Sequence, residues 1–142
     1  IDPTAIIHYP VQIAEGVEIG PYTVIETGTV IEEDVVIQGH VRIGKDCIIR
    51  KGCVVKWGSI LTQQVELQEN VFFGTGAVVL GSDSDRVEVH GTIIGRDCYI
   101  GAKAVIFPGA SITPETTIGA AAIIRTPIMA KGTYVGLSKR TE

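Results

Sequence analysis

A period of six residues runs through almost the whole chain and constrains its fold more than any other feature. Every sixth position from the first residue is aliphatic or aromatic. The series breaks once, after Val79, and resumes three residues out of register at Ile94. Its members are Ile1, Ile7, Ile13, Ile19, Ile25, Ile31, Ile37, Ile43, Ile49, Val55, Leu61, Leu67, Phe73 and Val79, then Ile94, Ile100, Ile106, Ile112, Ile118 and Ile124. An α-helix repeats every 3.6 residues, a strand every two and a coiled coil every seven. None of these elements explains the period, so the chain is built from a repeating coil.

Two other positions of the hexad are also restricted. If the aliphatic residue is position one, position five is small or β-branched, as at Val35, Thr23 and Cys47. Position four is rich in residues that tolerate positive φ, namely Gly16, Gly28, Asp34, Asp46, Gly52, Gly58, Asn70, Gly76, Asp97 and Gly109. Three hexads, each an inward strand and a turn, close one triangular coil. The pattern predicts an all-β, single-domain parallel β-helix of about seven coils over residues 1–136, with a tail at 137–142.

Three segments of the repeat resemble the hexapeptide-repeat acyltransferase superfamily. IGRDCYIGAKAVIFPGASI at 94–112 is similar to that family's signature, ENVFFGTGAVV at 69–79 resembles the coil before the active-site loop of sugar N- and O-acetyltransferases, and GTYVG at 132–136 resembles the family's terminal segment. The resemblance implies a left-handed β-helix and a homotrimer with active sites between neighbouring prisms. It also implies acyl transfer from acetyl-CoA, or another acyl-CoA, to an amine or hydroxyl of a sugar or nucleotide-sugar.

The chain departs from that family in the loop after the coil at 69–79. Sugar acetyltransferases commonly carry a catalytic His or Asn there, whereas this chain reads LGSDSDR at 80–86. A non-catalytic trimeric β-helix that acts as a scaffold or binding subunit is therefore the alternative hypothesis.

The break between Val79 and Ile94 is where we expect the chemistry, since function concentrates in loops held by a rigid scaffold. Counting back from Ile94 predicts a hexad at 88–93, with Gly91 at its turn and Thr92 at its small corner, and an excursion of about three residues around 85–87. His90 is the candidate general base, because an imidazole titrates near neutral pH. Asp83, Asp85 or Glu88 is the candidate to orient it or to bind a cationic acceptor, and spacing does not choose among them. Of the other histidines, His8 is interpreted as an end-of-prism residue and His40 as a turn residue.

Coenzyme-binding candidates come from the resemblance and from charge. The backbone amides of Gly101, Ala102, Gly119 and Ala120 lie where the family's coenzyme arm runs. Arg125 and Lys131 are candidates to meet its phosphates.

Composition excludes several other classes of function. A net charge of −4, with no basic cluster before the C-terminal tail, argues against nucleic acid. Apolar runs of about five residues are too short to span a membrane. Three cysteines, an odd number, favour a reducing cytoplasm. No metal is expected, because a γ-class carbonic anhydrase site needs two histidines five residues apart and the residue five before His90 is Asp85.

Position six points outward in the predicted prism, and it is apolar in nine of the first fourteen hexads. Exposed apolar surface of this extent favours association of several copies, and cyclic symmetry would suit a three-sided prism. The residues in question are Ile6, Val24, Val30, Val36, Ile48, Val54, Ile60, Phe72 and Val78.

Overall fold

A computed structural model of the protein describes residues 1–81 and 91–136. The described chain is entirely β-structure and turns. Its short strands, in chain order, are β1 Ile6–Ile7, β2 Gln12–Ile13, β3 Glu18–Ile19, β4 Val24–Ile25, β5 Val30–Ile31, β6 Val36–Ile37, β7 Arg42–Ile43, β8 Ile48–Ile49, β9 Val54–Val55, β10 Ile60–Leu61, β11 Val65–Leu67, β12 Phe72–Phe73, β13 Val78–Val79, β14 Thr92–Ile94, β15 Tyr99–Ile100, β16 Val105–Ile106, β17 Thr117–Ile118, β18 Ile123–Ile124 and β19 Thr133–Tyr134.

Consecutive strands lie on three different parallel sheets, which form the sides of a triangular prism. Side A contains β1, β4, β7, β10, β13, β16 and β18, and side C contains β3, β6, β9, β12, β15, β17 and β19. Side B contains β2, β5, β8, β11 and β14, and parallel bridges extend it from Ile94 to Ile112 and on to Ile128. The predicted left-handed parallel β-helix of about seven coils is confirmed.

The core is the stack of position-one and position-five side chains along the prism axis. Ile25, Ile43 and Leu67 have no exposed surface, and the position-five residues Val35 and Cys47 are equally buried. Each large aliphatic side chain contributes roughly 1.5–3 kcal/mol through burial. The first coil is different, because it packs against a neighbouring coil on one side only: Ile7 and Ile13 are half-buried and Ile1 is 62% exposed.

Position four is the turn of every regular hexad. All ten Gly, Asp and Asn residues predicted to turn there have positive φ. Larger residues at the same position adopt the same conformation, including Tyr22 and His40 at 56°. Coil closure therefore dictates the left-handed turn even where the side chain disfavours it.

Most polar residues at position five follow one hydrogen-bonding rule. Six of them donate to the backbone carbonyl fifteen residues ahead, in the next coil, whereas Thr92 and Thr116 donate to the carbonyls of Leu80 and Pro114. The six donors and their acceptors are Thr23 to Gln38, Thr29 to Gly44, Cys47 to Thr62, Cys53 to Gln68, Ser59 to Gly74 and Cys98 to Thr113, at 2.9–3.2 Å. The three cysteines, Cys47, Cys53 and Cys98, are free and buried in the core.

The length of the break differs from its predicted value. Stacked partners are 18 residues apart in regular coils, as in Val30 with Ile48, but 27 apart across the break, as in Val65 with Thr92. Nine residues are therefore inserted, not about three around 85–87. A count of aliphatic positions detects a shift only modulo six, so an insertion of nine resembles one of three.

The hexad predicted at 88–93 is consequently not a side of the prism. β13 on side A is followed by β14 on side B, as in a regular coil. Ile94 is therefore the next position-one residue after Val79. Thr92 does occupy the small buried corner, as expected. Gly91, however, does not have the positive φ expected of a turn residue.

Side A is the most apolar outer face of the prism. Six of its seven strands have an aliphatic outward residue, and the seventh has Arg42. The six are Ile6, Val24, Ile60, Val78, Val105 and Ile123. The outward rows of sides B and C contain more polar residues, among them Glu66 on side B and Thr117 on side C.

Candidate functional site

The nine-residue insertion leaves the prism at the corner between sides A and B, which we call the A–B corner. His90, Asp83 and Asp85 belong to it and lie outside the described residues, so their catalytic role stays a prediction. The structure describes the two stems of the insertion, which end at Gly81 and begin again at Gly91.

The two stems lie above consecutive residues of the coil below. A Cβ placed on Gly81 would lie 2.0 Å from the carbonyl oxygen of Gln63, and one on Gly91 would lie 2.8 Å from that of Gln64. Glycine is required at Gly81 by this close approach of two backbones. The insertion thus begins and ends at what would be neighbouring positions of an uninterrupted coil.

Two threonine hydroxyls hold the stems. The Thr62 hydroxyl accepts a hydrogen bond from the Gly81 N–H at 2.8 Å. The Thr92 hydroxyl donates to the Leu80 carbonyl at 2.8 Å and accepts from the Gly109 N–H at 2.9 Å. The base of the insertion is therefore fixed to the coil below and to the coil above.

A shallow groove lies beside the stems on each adjoining side. The groove on side A is about 340 Å³ and includes the cations Arg42 and Lys45 together with Glu26. The groove on side B is about 330 Å³ and includes Glu66 and the exposed Ile93. Both offer polar groups and aliphatic walls to a small molecule held next to the insertion.

Four predicted coenzyme-binding residues lie together on stacked turns of the corner between sides C and A. The N–H groups of Gly101 and Gly119 already donate to the carbonyls of Ile118 and Tyr134, at 2.7 and 2.8 Å. Within residues 1–81 and 91–136, the N–H groups of the exposed Ala102 and Ala120 donate no hydrogen bond. Among these four residues, the backbone donors left unpaired are therefore those of the two alanines.

The two predicted phosphate-binding cations lie elsewhere on the prism. Arg125 is on the A–B corner, with its guanidinium 5.6 Å from the centre of the Phe107 ring. Lys131 is on the corner between sides B and C, 3.4 Å from Glu115, which also pairs with Arg96 at 3.1 Å. Hydrogen bonds from Arg96 and then Lys131 lower the pKa of Glu115. Within a single prism, Arg125 and Lys131 therefore lie on different corners from the two alanines.

The other two histidines have structural surroundings. His8 contacts the carboxylate of Glu26 in the first coils of the A–B corner. His40 lies between the rings of Tyr22 and Trp57, at centroid distances of 5.2 and 5.8 Å. This exposed aromatic row was not predicted. Tyr22 and His40 share position four of the hexad, but Trp57 is at position three, so no single repeat position joins the three rings.

The described ranges give no sign of a metal site or a membrane span. They contain no group of three or more His, Cys, Asp or Glu side chains able to hold a metal ion. They also contain no helix that is long and apolar enough to cross a membrane.

Comparison with protein families gives two matches. The bacterial transferase hexapeptide (six repeats) matches residues 22–56, and the hexapeptide repeat of succinyl-transferase matches residues 91–126. No curated protein sequence shows significant similarity to the chain.

Several solved structures share the fold at low sequence identity. WeeI from Acinetobacter baumannii AYE has a TM-score of 0.63 and 21% identity, covering 82% of this chain and 52% of that one. The UDP-N-acetylglucosamine O-acyltransferase LpxA from Moraxella catarrhalis RH4 has a TM-score of 0.59 and 16% identity, covering 88% and 60%. The acetyltransferase domain of PglB from Neisseria gonorrhoeae FA1090, in complex with acetyl coenzyme A, has a TM-score of 0.50 and 21% identity, covering 94% and 55%.

The chain spans little more than half the length of these structures. The six-residue repeat and the prism extend over the described residues, and the two family models match residues 22–56 and 91–126 of them. The chain is therefore built from hexapeptide repeats of the bacterial transferase type and has the left-handed parallel β-helix fold.

Proposed function

We propose that the protein is an acyltransferase that moves an acetyl or other acyl group from coenzyme A to an amine or hydroxyl of a sugar or nucleotide-sugar. One observation carries the proposal: a regular prism is interrupted between Val79 and Ile94 by nine residues that include a histidine, at stems held by hydrogen bonds. The structural relatives support it, since they include an acetyltransferase domain in complex with acetyl coenzyme A and an O-acyltransferase acting on UDP-N-acetylglucosamine.

The proposed chemistry assigns the proton transfers to the insertion. The acceptor nitrogen or oxygen attacks the thioester carbonyl while His90 takes its proton, and Asp83 or Asp85 orients the imidazole. The C–S bond then breaks, and the coenzyme leaves as a thiolate that takes up a proton. The unpaired amides of Ala102 and Ala120 are proposed to bind the coenzyme arm by hydrogen bonds.

The proposed active form is a homotrimer. The coenzyme-binding amides and Arg125 lie on different corners of one prism, so a neighbouring copy is needed to bring such groups together. The apolar outer face of side A is the proposed contact surface. We place the trimer in the cytoplasm, where the three free cysteines remain reduced.

Release of coenzyme A thiol from acetyl-CoA tests the proposal across a panel of amino sugars, hydroxy sugars and their nucleoside-diphosphate derivatives. We expect turnover with at least one acceptor, and acetylated product by mass spectrometry. His90→Gln is expected to lower kcat by about 10²–10⁴-fold. His8→Gln is the matched control, because it removes a histidine from the same corner far from the insertion.

Two results would decide against parts of the proposal. Absence of turnover together with absence of coenzyme A binding would reject the enzyme and favour the non-catalytic scaffold. Turnover that is equal in His90→Gln and wild type would reject His90 as the base while leaving the reaction class intact.

A further inference from the structure

Thr92 departs from the hydrogen-bonding rule that six other residues at its hexad position follow. Those six donate to the carbonyl fifteen residues ahead, which for Thr92 would be that of Phe107. Thr92 instead donates backward to the Leu80 carbonyl, twelve residues earlier. Its hydroxyl also accepts a hydrogen bond from Gly109, in the next coil.

Because the Thr92 hydroxyl donates to Leu80 instead of Phe107, it joins the two stems of the insertion. Leu80 lies in the stem before the insertion and Thr92 in the stem after it, so one buried hydroxyl connects them directly. The Gly109 amide then ties both stems to the coil above. The Thr92 side chain is completely buried, so water does not compete for these bonds.

Packing alone does not require a hydroxyl at this position. Valine, which has nearly the same shape as threonine, occupies the same inward corner in fully buried form at Val35, Val41, Val65 and Val71. A threonine there is therefore needed for its hydrogen bonds rather than for its volume.

We propose that Thr92 is a positioning residue for acyl transfer, a role that rests on the proposed function above. Its hydroxyl sets where the chain leaves the prism at Gly81 and where it returns at Gly91, the residue after His90. Thr92 touches no reacting atom and acts only by fixing the base of the insertion. Small errors in the placement of a catalytic group are costly, since about 1 Å lowers the rate by about 10²-fold.

The test compares Thr92→Val and Thr92→Ser with Thr29→Val as a matched control. Thr29 is equally buried, and its hydroxyl also bridges one carbonyl and one amide, donating to Gly44 at 3.0 Å and accepting from Cys47 at 3.3 Å. It lies several coils from the insertion. Amide hydrogen exchange confirms each change, with faster exchange at Gly109 in Thr92→Val and at Cys47 in Thr29→Val.

We expect Thr92→Val to lower kcat by about 10- to 100-fold with the KM for acetyl-CoA unchanged. Thr92→Ser keeps the hydroxyl and is expected to restore most of the rate, while Thr29→Val retains the wild-type kcat. An equal kcat in Thr92→Val and Thr29→Val would overturn the positioning role, and so would a failure of serine to restore the rate. Lack of turnover by the wild-type protein would instead contradict the proposed function, and this role with it.

Discussion

Gly81 and Gly91 are ten positions apart in the sequence, yet they lie above Gln63 and Gln64, two consecutive residues of the coil below. The prism therefore continues past the insertion with its register intact. This relationship separates the scaffold from the segment proposed to carry the chemistry. It also means that the two can be altered independently.

The inward and outward positions of one strand are predicted to differ sharply in their effect on stability. Ile31→Ala removes a completely buried side chain and should lower the free energy of unfolding by about 2–5 kcal/mol. Val30→Ala changes the half-buried outward neighbour and should cost about 1 kcal/mol or less. Urea denaturation of both variants tests the assignment, and equal losses would contradict it.

The buried thiols are predicted to make the protein less stable in alkali. Burial raises the pKa of Cys47 to about 11 and that of Cys53 to about 12, from an ordinary value of 9.0. The unfolded chain therefore ionises first as the pH rises, and stability falls above about pH 9, by up to about 1.4 kcal/mol per pH unit for each thiol. Below pH 9 this contribution is fully present.

A variant with both Cys47→Thr and Cys53→Thr is the control for that pH dependence. Threonine makes the same hydrogen bond at Thr23 and Thr29, so the core bonds are kept while the titration is removed. Urea denaturation from pH 8 to 11 should show a shallower fall for the variant. An unchanged slope would show that the thiols do not cause the effect.

Proline is predicted to be a selective probe of the proposed coenzyme corner. Ala120 stacks on Gly101 in the same way as Pro114 stacks on Gly95. In both pairs the backbone nitrogen of the upper residue lies 2.5 Å from where a Cβ added to the glycine would be. Ala120→Pro should therefore fold and remove one free N–H. We expect the Kd for coenzyme A to rise about 2- to 10-fold, the effect of one neutral hydrogen bond.

Glu33→Pro is the matched control for that measurement, because Glu33 occupies the same hexad position on the corner between sides B and C. Isothermal titration of coenzyme A should give the wild-type Kd for this control. A Kd unchanged in Ala120→Pro would remove the Ala120 amide from the proposed coenzyme site.

The proposed trimer is predicted to depend on side A. Val78→Glu places a carboxylate in the middle of its aliphatic outer row, where burial between subunits would be costly for a charge. Sedimentation equilibrium should show loss of the trimer in this variant. Thr117→Glu, on the outward row of side C, should remain trimeric, and the reverse outcome would move the contact to another side.

The regular part of the fold follows from the sequence because each hexad position has one physical task. The inward Ile25, the turn at Asp34 and the small corner at Cys47 were all predicted from spacing alone. The insertion was predicted in place but not in length, because a shift of nine and a shift of three leave the same register. Gly91 was assigned to a turn for the same reason.

The site was less predictable than the scaffold. Gly101 and Ala102 look equivalent in the sequence, but coil stacking uses the amide of one and leaves the other without a partner. The role of Thr92 depends on a hydrogen bond to Leu80 across the insertion, and no spacing rule indicates that bond. His90 was identified only as the histidine that no repeat rule explains.

Deletion of residues 82–90 tests the central claim most directly. Joining Gly81 to Gly91 restores the 18-residue spacing, with Gly91 in the turn position and Thr92 in the corner of a regular hexad. The measurement is acetyl-CoA-dependent transfer by the deletion variant, beside its thermal unfolding. We predict an intact, cooperatively unfolding β-helix with no detectable transfer; a folded deletion variant that transfers at the wild-type rate would contradict the claim that the insertion carries the chemistry.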